Sequence, residues 1–322
     1  MINSFVFSGG RVAEQSLSKE SLLSAKKNRR SILWIDLESP TEEEAKFVLE
    51  EMFGFHPLAV EDCLTETQLP KIEDFENYLF IVMHAVDFSR KDKFSTSELN
   101  LFVGRNFLAT YHRTPLKFVQ VIQDRFAKHA MPPVQGSDRL AHTLLDGMVE
   151  HYIPVMEELT DQVEELEDFI LDASQSITIE NILSTRKDLS HLRQILRPQR
   201  EIVSKLASGE NRFIRAKLLP YFRNLCDSIT RVEETARSYA ERLLLDFDIY
   251  TNRVANETNQ GIKFLTALTA ITLPPIIIGG WYGMNFRHMP ELAHPWGYGI
   301  ASAATIVAIV VMWLWLKSKK WF

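Results

Sequence analysis

Cysteine is nearly absent from this chain of 322 residues. The two that occur, Cys63 and Cys226, have neither a Cys-x-x-Cys spacing nor a histidine partner, so they make no structural zinc site on their own and read as reduced, structural thiols. Also lacking are a Gly-rich phosphate loop, a His-Glu-x-x-His pair and any nucleophile motif, which leaves an enzyme reading without support. His142, His151 and His191 lie on helical stretches without partners at ligand spacing and read as surface or packing residues. At the N-terminus, Met1-Ile2-Asn3-Ser4-Phe5-Val6 is not a basic segment followed by a continuous apolar core. No secretory signal is therefore expected, and the soluble part is expected in the cytoplasm. Proline is missing between Pro220 and Pro274, so Tyr221 to Leu273 can form one helix of about 80 Å.

Charge is unevenly spread. From residue 263 onward Lys263, Arg287, Lys317, Lys319 and Lys320 face the single acid Glu291, a net +4, so the rest of the chain carries −10 within a total of −6. An acidic soluble part argues against nucleic acid and is compatible with divalent cations.

What is abundant is apolar sequence at the C-terminal end. Two uncharged stretches, roughly Phe264 to Phe286 and Trp296 to Leu316, each supply the roughly 20 residues a helix needs to cross a bilayer. The short loop between them leaves no room for a domain on the far side. Lys317, Lys319 and Lys320 follow the second stretch and place it with its end inside, so both termini are expected in the cytoplasm.

Upstream, residues 1–135 alternate β-like and helical segments and read as an α/β cytoplasmic domain. Strands are expected at Ser31–Leu37, Tyr78–Met83, Leu99–Val103 and Phe107–Tyr111, and a helix over Thr41–Phe53. Residues 136–260 change to long amphipathic helices. One follows Leu140, Leu144, Met148, Tyr152, Val155, Leu159, Val163, Leu166 and Ile170; a second runs through Ile182, Leu189, Leu192 and Leu196 and bends near Pro198. The long helix after Pro220 cannot bury its apolar stripe in a small domain, and two membrane helices cannot enclose a pore alone, so homo-oligomerisation is expected. The last segment, 261–322, is the membrane hairpin, with a first span at about 262–283, a loop over 283–295 and a second span at about 296–316.

The loop sequence Tyr282-Gly283-Met284-Asn285-Phe286 followed by Met289-Pro290-Glu291-Leu292 resembles the signature of the CorA family of divalent-cation channels. The similarity extends upstream through His56-Pro57-Leu58, Glu61-Asp62, Gln68-Leu69-Pro70-Lys71-Ile72-Glu73 and Phe75-Glu76-Asn77-Tyr78, and so covers nearly the whole chain. It implies a homopentamer of α/β cytoplasmic domains, a funnel of long helices and two membrane helices per subunit, sitting in the plasma (inner) membrane among lipids. The transported ion is Mg2+ and also Co2+, taken up down its electrochemical gradient, with Mg2+ a regulatory ligand as well and no organic cofactor. Met284 favours this branch over the zinc-transporting one.

Gly283, Met284 and Asn285 are then the selectivity filter. Mg2+ sheds its hydration shell reluctantly, and five Asn285 amide oxygens suit a hydrated ion better than a dry carboxylate cage. Gly283 permits close approach in the turn, Met284 packs against a neighbour, and Glu291 in the outer loop raises the local cation concentration. Asn259, Ile262, Leu265 or Thr266, Thr269, Leu273, Ile276 or Ile277 and Gly280 recur at spacings of three and four and line a narrow, mostly apolar tube able to close by dewetting. The resemblance makes Asn259 a polar ring and Ile262, Leu265 and Leu273 hydrophobic restrictions; Ile276 stands where some relatives carry threonine. It also implies a regulatory metal between subunits, held by Glu61, Asp62, Asp146 and Glu150 together with the long helix, where Asn224 replaces an aspartate and Asp227 lies one turn along. Two other readings stay open: a Zn2+, Co2+ or Ni2+ transporter of the same superfamily, proton-coupled or not, and a membrane-anchored helical scaffold. His288 and His294 in the outer loop are the residues that would meet a softer metal.

Overall fold

The computed structural model describes residues 1–65, 69–87, 95–171, 179–286 and 289–319; Gln68, Arg287, His288, Lys320 and Phe322, which carried expectations above, lie outside them. The chain divides into two compact units, Met1–Leu244 and Leu245–Phe322.

The first unit begins with strands β1 (Ile2–Ser8) and β2 (Arg11–Gln15), helix α1 (Lys19–Lys27) and β3 (Ile32–Glu38). Next come α2 (Glu42–Lys46), which passes into a π-helical turn over Phe47–Met52, and α3 (Pro57–Leu64). Strands β4 (Lys71–Asp74), β5 (Tyr78–Asp87), β6 (Ser95–Gly104) and β7 (Phe107–His112) complete one seven-stranded sheet in the order β2-β1-β3-β7-β6-β5-β4. Only β3 and β7 pair in parallel.

Alternation along β3 shows how the sheet is covered. Leu33, Ile35 and Leu37 join a core with Val48, Leu49, Met52, Ala59 and Val60 from α2, the π turn and α3. Trp34 points to the other face, stacked on Phe5 at 5.3 Å and edge-on to Phe126 of α4 (Lys117–Ala127) at 6.0 Å. A strand buried on both faces reads as a nearly continuous apolar run. The start of α2 is set by a capping box in which Thr41 accepts from the Glu44 N–H while the Glu44 carboxylate accepts from the Thr41 N–H.

The expected single helix over Leu140–Ile170 is two helices, α5 (Ser137–Glu150) and α6 (Tyr152–Leu171), broken at His151. Pro154 explains the break, because it has no N–H for the Glu150 carbonyl and its ring crowds that position. By contrast, α7 (Ile179–Ala207) runs through Pro198 as one helix. Helix α8 extends from Leu219 to Tyr282, longer than the expected Tyr221–Leu273 because it continues past Pro274 and Pro275. Helix α9 (Gly297–Ser318) follows.

Buried polar groups knit the helices to the sheet. Strand β4 pairs with β5 only as far as Val82, so the backbone of His84 needs other partners. Gln199 supplies them, its Oε1 accepting from the His84 N–H at 3.4 Å and its Nε2 donating to the His84 carbonyl at 3.3 Å, while the Tyr152 hydroxyl donates to that carbonyl at 2.5 Å. Asp138, at the start of α5 and only 2% exposed, accepts from the Arg139 N–H, the Arg215 N–H and the Arg215 guanidinium, whose Nε lies at 2.7 Å. Gly136 makes room for this, since a Cβ there would fall 2.1 Å from the Arg215 side chain. Removing the half-buried Arg215 guanidinium strands the buried Asp138 charge. Arg215→Ala is therefore expected to destabilise the soluble unit by about 3 kcal/mol, read as a lower denaturation midpoint with an unchanged slope.

Candidate transport path and regulatory acids

Helix α8 ends where its backbone finds local partners. The Gly283 N–H donates to the Gly279 carbonyl at 2.9 Å and the Met284 N–H to the Trp281 carbonyl at 3.4 Å. A Cβ on Gly283 would lie 2.8 Å from the Gly279 oxygen, so close approach rather than a left-handed backbone makes glycine necessary here. The turn leaves Met284, Asn285 and Phe286 exposed beyond the helix, in the loop expected over 283–295. On the return side Pro290–Ala293 forms a 3-10 turn carrying the exposed Glu291. A Cβ on Gly297 would fall 2.4 Å from the Glu291 carbonyl oxygen, so the start of α9 also depends on a missing side chain. His294 Nδ1 accepts from the Trp296 N–H at 3.2 Å, which commits one ring nitrogen to the loop.

The residues expected to line a pore are all on α8. Asn259, Ile262, Leu265, Thr266, Thr269, Leu273, Ile276, Ile277 and Gly280 are exposed in the single chain. Thr266 and Thr269 each donate a hydroxyl hydrogen to a carbonyl four residues back at 2.8 Å, Ile262 and Leu265 respectively. That leaves the hydroxyl oxygen lone pairs as acceptors on the outside. Apolar exposure is not confined to one side: Phe264, Leu268 and Trp281 are each at least half exposed, as are Ile306, Val307, Val311 and Leu314 of α9. Trp281, Trp296 and Tyr298 flank the loop, whereas Trp313, Trp315 and Lys317 mark the other end of α9, with the Lys317 ammonium 5.1 Å from the Trp313 ring. Aromatic residues at both ends of apolar helices are the pattern of a membrane span.

The residues expected to hold a regulatory metal are spread over three helices of the first unit. Glu61 and Asp62 lie on α3, Asp146 and Glu150 on α5, and Asn224 and Asp227 on the same exposed side of α8. They do not converge within one chain: among the described residues, the histidine, cysteine and acid group whose ligand atoms lie within 4.8 Å of one another is Asp36, Glu38 and His112. Asp62 is instead salt-bridged to Lys71, which also contacts Glu73 at 2.9 Å. Burial pulls the Lys71 pKa down, but the bonds and charges of Asp62 and Glu73 outweigh it and hold the ammonium above its usual value. Asp227 shares an open recess with Ser204, Arg223 and Cys226. His142 is buried edge-on to Tyr221 and Phe222, and burial lowers its pKa against the opposing pull of Asp146. His151 is exposed and bonded to the Gly147 carbonyl. Both cysteines are free, and burial pushes the Cys63 thiol well up, as inert structural residues should be.

Two arrangements escaped sequence reasoning. One is the Lys71 bridge, for which the only signal was the alternation of Lys71 and Glu73 in a short edge strand. The other is the Asp36, Glu38 and His112 group, signalled by polar residues at alternating positions inside otherwise apolar strands.

Comparison with known proteins gives three results. The sequence family described as "CorA-like Mg2+ transporter protein" matches residues 29–319. Curated relatives include the cobalt/magnesium transport protein CorA of Thermotoga maritima, 29% identical over 89% of this chain and 83% of that one. They also include the zinc transport protein ZntB of Yersinia enterocolitica, 24% identical over 82% and 81%. Among solved structures, the CorA magnesium transporter from Methanocaldococcus jannaschii superposes with a TM-score of 0.83 over 99% of this chain and 98% of that one, at 23% identity, which shows the fold.

Proposed function

The chain belongs to the CorA-like Mg2+ transporter family, and from that membership we propose that it is a homopentameric channel for Mg2+ and Co2+ in which Asn285 forms the outer filter. The observation that carries this reading is the exposed Gly283-Met284-Asn285 turn closing a long apolar helix in a chain matched by the family almost end to end. Zinc-transporting relatives are more distant by identity, 24% against 29%, and Met284 fits the magnesium branch.

The physical sequence of events follows from these residues. Glu291 adds negative potential outside the filter. Five Asn285 amide oxygens exchange hydrogen bonds with the water shell of a hexahydrated ion without stripping it, which avoids the cost that Mg2+ dehydration imposes. Below them α8 offers a Leu273 ring, then Thr269 hydroxyl oxygens, then Leu265 and Ile262 rings; the apolar rings conduct when wet and block when dry, with Asn259 as a polar ring beyond. Entry of a divalent ion is driven by the membrane potential, worth about 4.6 kcal/mol at 100 mV. Both termini lie in the cytoplasm in this scheme, so a tag after Phe322 is expected to be protected in intact cells and labelled only after permeabilisation; labelling from outside would reverse the orientation. Asn285→Ala is expected to abolish Mg2+ uptake in reconstituted vesicles while the oligomer elutes unchanged. Wild-type uptake by a well-assembled Asn285→Ala protein would remove Asn285 from the filter.

Regulation in this scheme comes from Mg2+ held between neighbouring subunits by Asp62, Glu61, Asp146 and Glu150 with Asn224 and Asp227, closing the ring when cytoplasmic Mg2+ is high. Two features weaken the site relative to an all-carboxylate one: the neutral side chain of Asn224, and Lys71, which already neutralises Asp62. Oxygen-ligand sites tune affinity through charge count, and a ligand shifts a gate only by its differential affinity for the closed and open forms. Asn224→Asp is therefore expected to lower the Mg2+ concentration for half-closure by up to about tenfold, measured as current against internal Mg2+. An unchanged midpoint in both Asn224→Asp and Asp62→Ala would place the sensor elsewhere.

A further inference from the structure

Asp36, Glu38 and His112 stand at the carboxyl ends of the parallel strands β3 and β7, where Asp36 is registered with Thr110 and Glu38 with His112. Asp36 and His112 are fully buried and Glu38 is half-buried at the rim. The orientation of the His112 ring follows from its partner on the far side. The Thr114 carbonyl can only accept, so at 2.7 Å His112 Nδ1 carries the hydrogen. Nε2 faces Asp36 Oδ1 at 3.2 Å and Oδ2 at 3.4 Å.

Burial pulls the His112 pKa down, but the hydrogen bond and charge of Asp36 outweigh it and hold it above its usual value, so a proton on Nε2 bridges the pair until a metal ion displaces it. Two ligands each about 2.0–2.1 Å from a tetrahedral ion lie about 3.3 Å apart, which is the separation observed. Glu38 brings a third ligand atom within 4.8 Å of the other two. Each candidate ligand is also braced from outside. Thr114 holds His112, Gln123 Nε2 donates to Asp36 Oδ2 at 2.7 Å, and Gln120 Nε2 donates to both Glu38 oxygens at 3.4 Å. Such outer partners orient the ligands of a metal ion and set their basicity. The Thr110 hydroxyl donates to Asp36 Oδ1 at 2.6 Å in the same sense.

We propose that Asp36, Glu38 and His112 form a transition-metal site in the soluble unit, taking Zn2+ or Co2+ with water in the remaining position. One imidazole and two carboxylates suit these borderline ions, whereas Mg2+ prefers oxygen ligands alone. The site is independent of the transport reading, since none of its residues belongs to the filter, the pore or the regulatory acids.

The test is titration of the purified full-length protein with Co2+ in a large excess of Mg2+, which saturates all-oxygen sites, while the visible ligand-field absorption of Co2+ is followed. One Co2+ per chain is expected at this site. Glu38→Gln should weaken it at least about tenfold and Gln120→Ala by about tenfold, His112→Asn should abolish it, and His294→Ala should leave it intact. X-ray absorption of the Zn2+-loaded protein should show a single imidazole. If His112→Asn does not fold, Glu38→Gln still decides, because Glu38 lies at the rim. Failure of Co2+ to bind in Mg2+, or an absorption band lost in His294→Ala and kept in Glu38→Gln, overturns the site.

Discussion

A helix that is apolar on all sides must be covered, and the second unit cannot do this from its own residues. Its two long helices expose Phe264, Leu265, Ile276 and Trp281 in one and Ile306, Val307 and Val311 in the other. At roughly 25 cal/mol per Å2 of apolar surface, leaving such helices in water is prohibitive, so they need an apolar surround of lipid or protein. Polar side chains obey the same constraint. Thr266, Thr269, Thr272 and Thr305 return their hydroxyl hydrogens to carbonyls of their own helix, so none enters the hydrocarbon as an unsatisfied donor. The proposed ring answers this need, because in it the helix face turned from lipid is the one available to enclose water.

On the proposed reading, the chemistry available along that face is selective through weakness. Between Asn259 and Asn285 the only charged side chain on α8 is Lys263, and no carboxylate is present. A carboxylate cage would hold Mg2+ tightly and slow its release, whereas conduction needs an ion to enter and leave. Amide and hydroxyl oxygens bind the hydration shell and let it go. Carboxylates are concentrated instead in the soluble unit, where slow, tight binding is useful for sensing or structure and does not limit flux.

How much of this was legible in the sequence depended on whether local rules governed the segment. The apolar spans, the Gly-Met-Asn turn and β3, β5, β6 and β7 could be read directly, since hydropathy and alternation decide them. Strands β1, β2 and β4 were not resolved individually, because edge strands such as β2 and β4 are short and largely uncovered and their residues need not be apolar. The periodic run from Leu140 to Ile170 looked like one helix because periodicity survives a single-residue break; Pro154 was the overlooked sign. Lys71 on Asp62 and the Asp36, Glu38 and His112 group depend on contacts between distant segments, up to 76 residues apart. No local pattern encodes those contacts, although a buried strand that alternates Trp34, Asp36 and Glu38 announces that one of its faces has polar business.

Pro274 and Pro275 sharpen the argument about covering. Neither has an N–H, so the carbonyls of Ala270 and Ile271 lose their partners four residues on, yet α8 continues to Tyr282. In hydrocarbon an unsatisfied carbonyl costs several kcal/mol. Partners for these carbonyls come from a neighbouring helix, from water, from Ser or Thr hydroxyls or from local adjustment of the turn. In the proposed ring of copies around a hydrated path a neighbouring helix and water are both at hand, so the proline pair, which in a soluble helix would mark an end, fits a stretch of α8 facing that path.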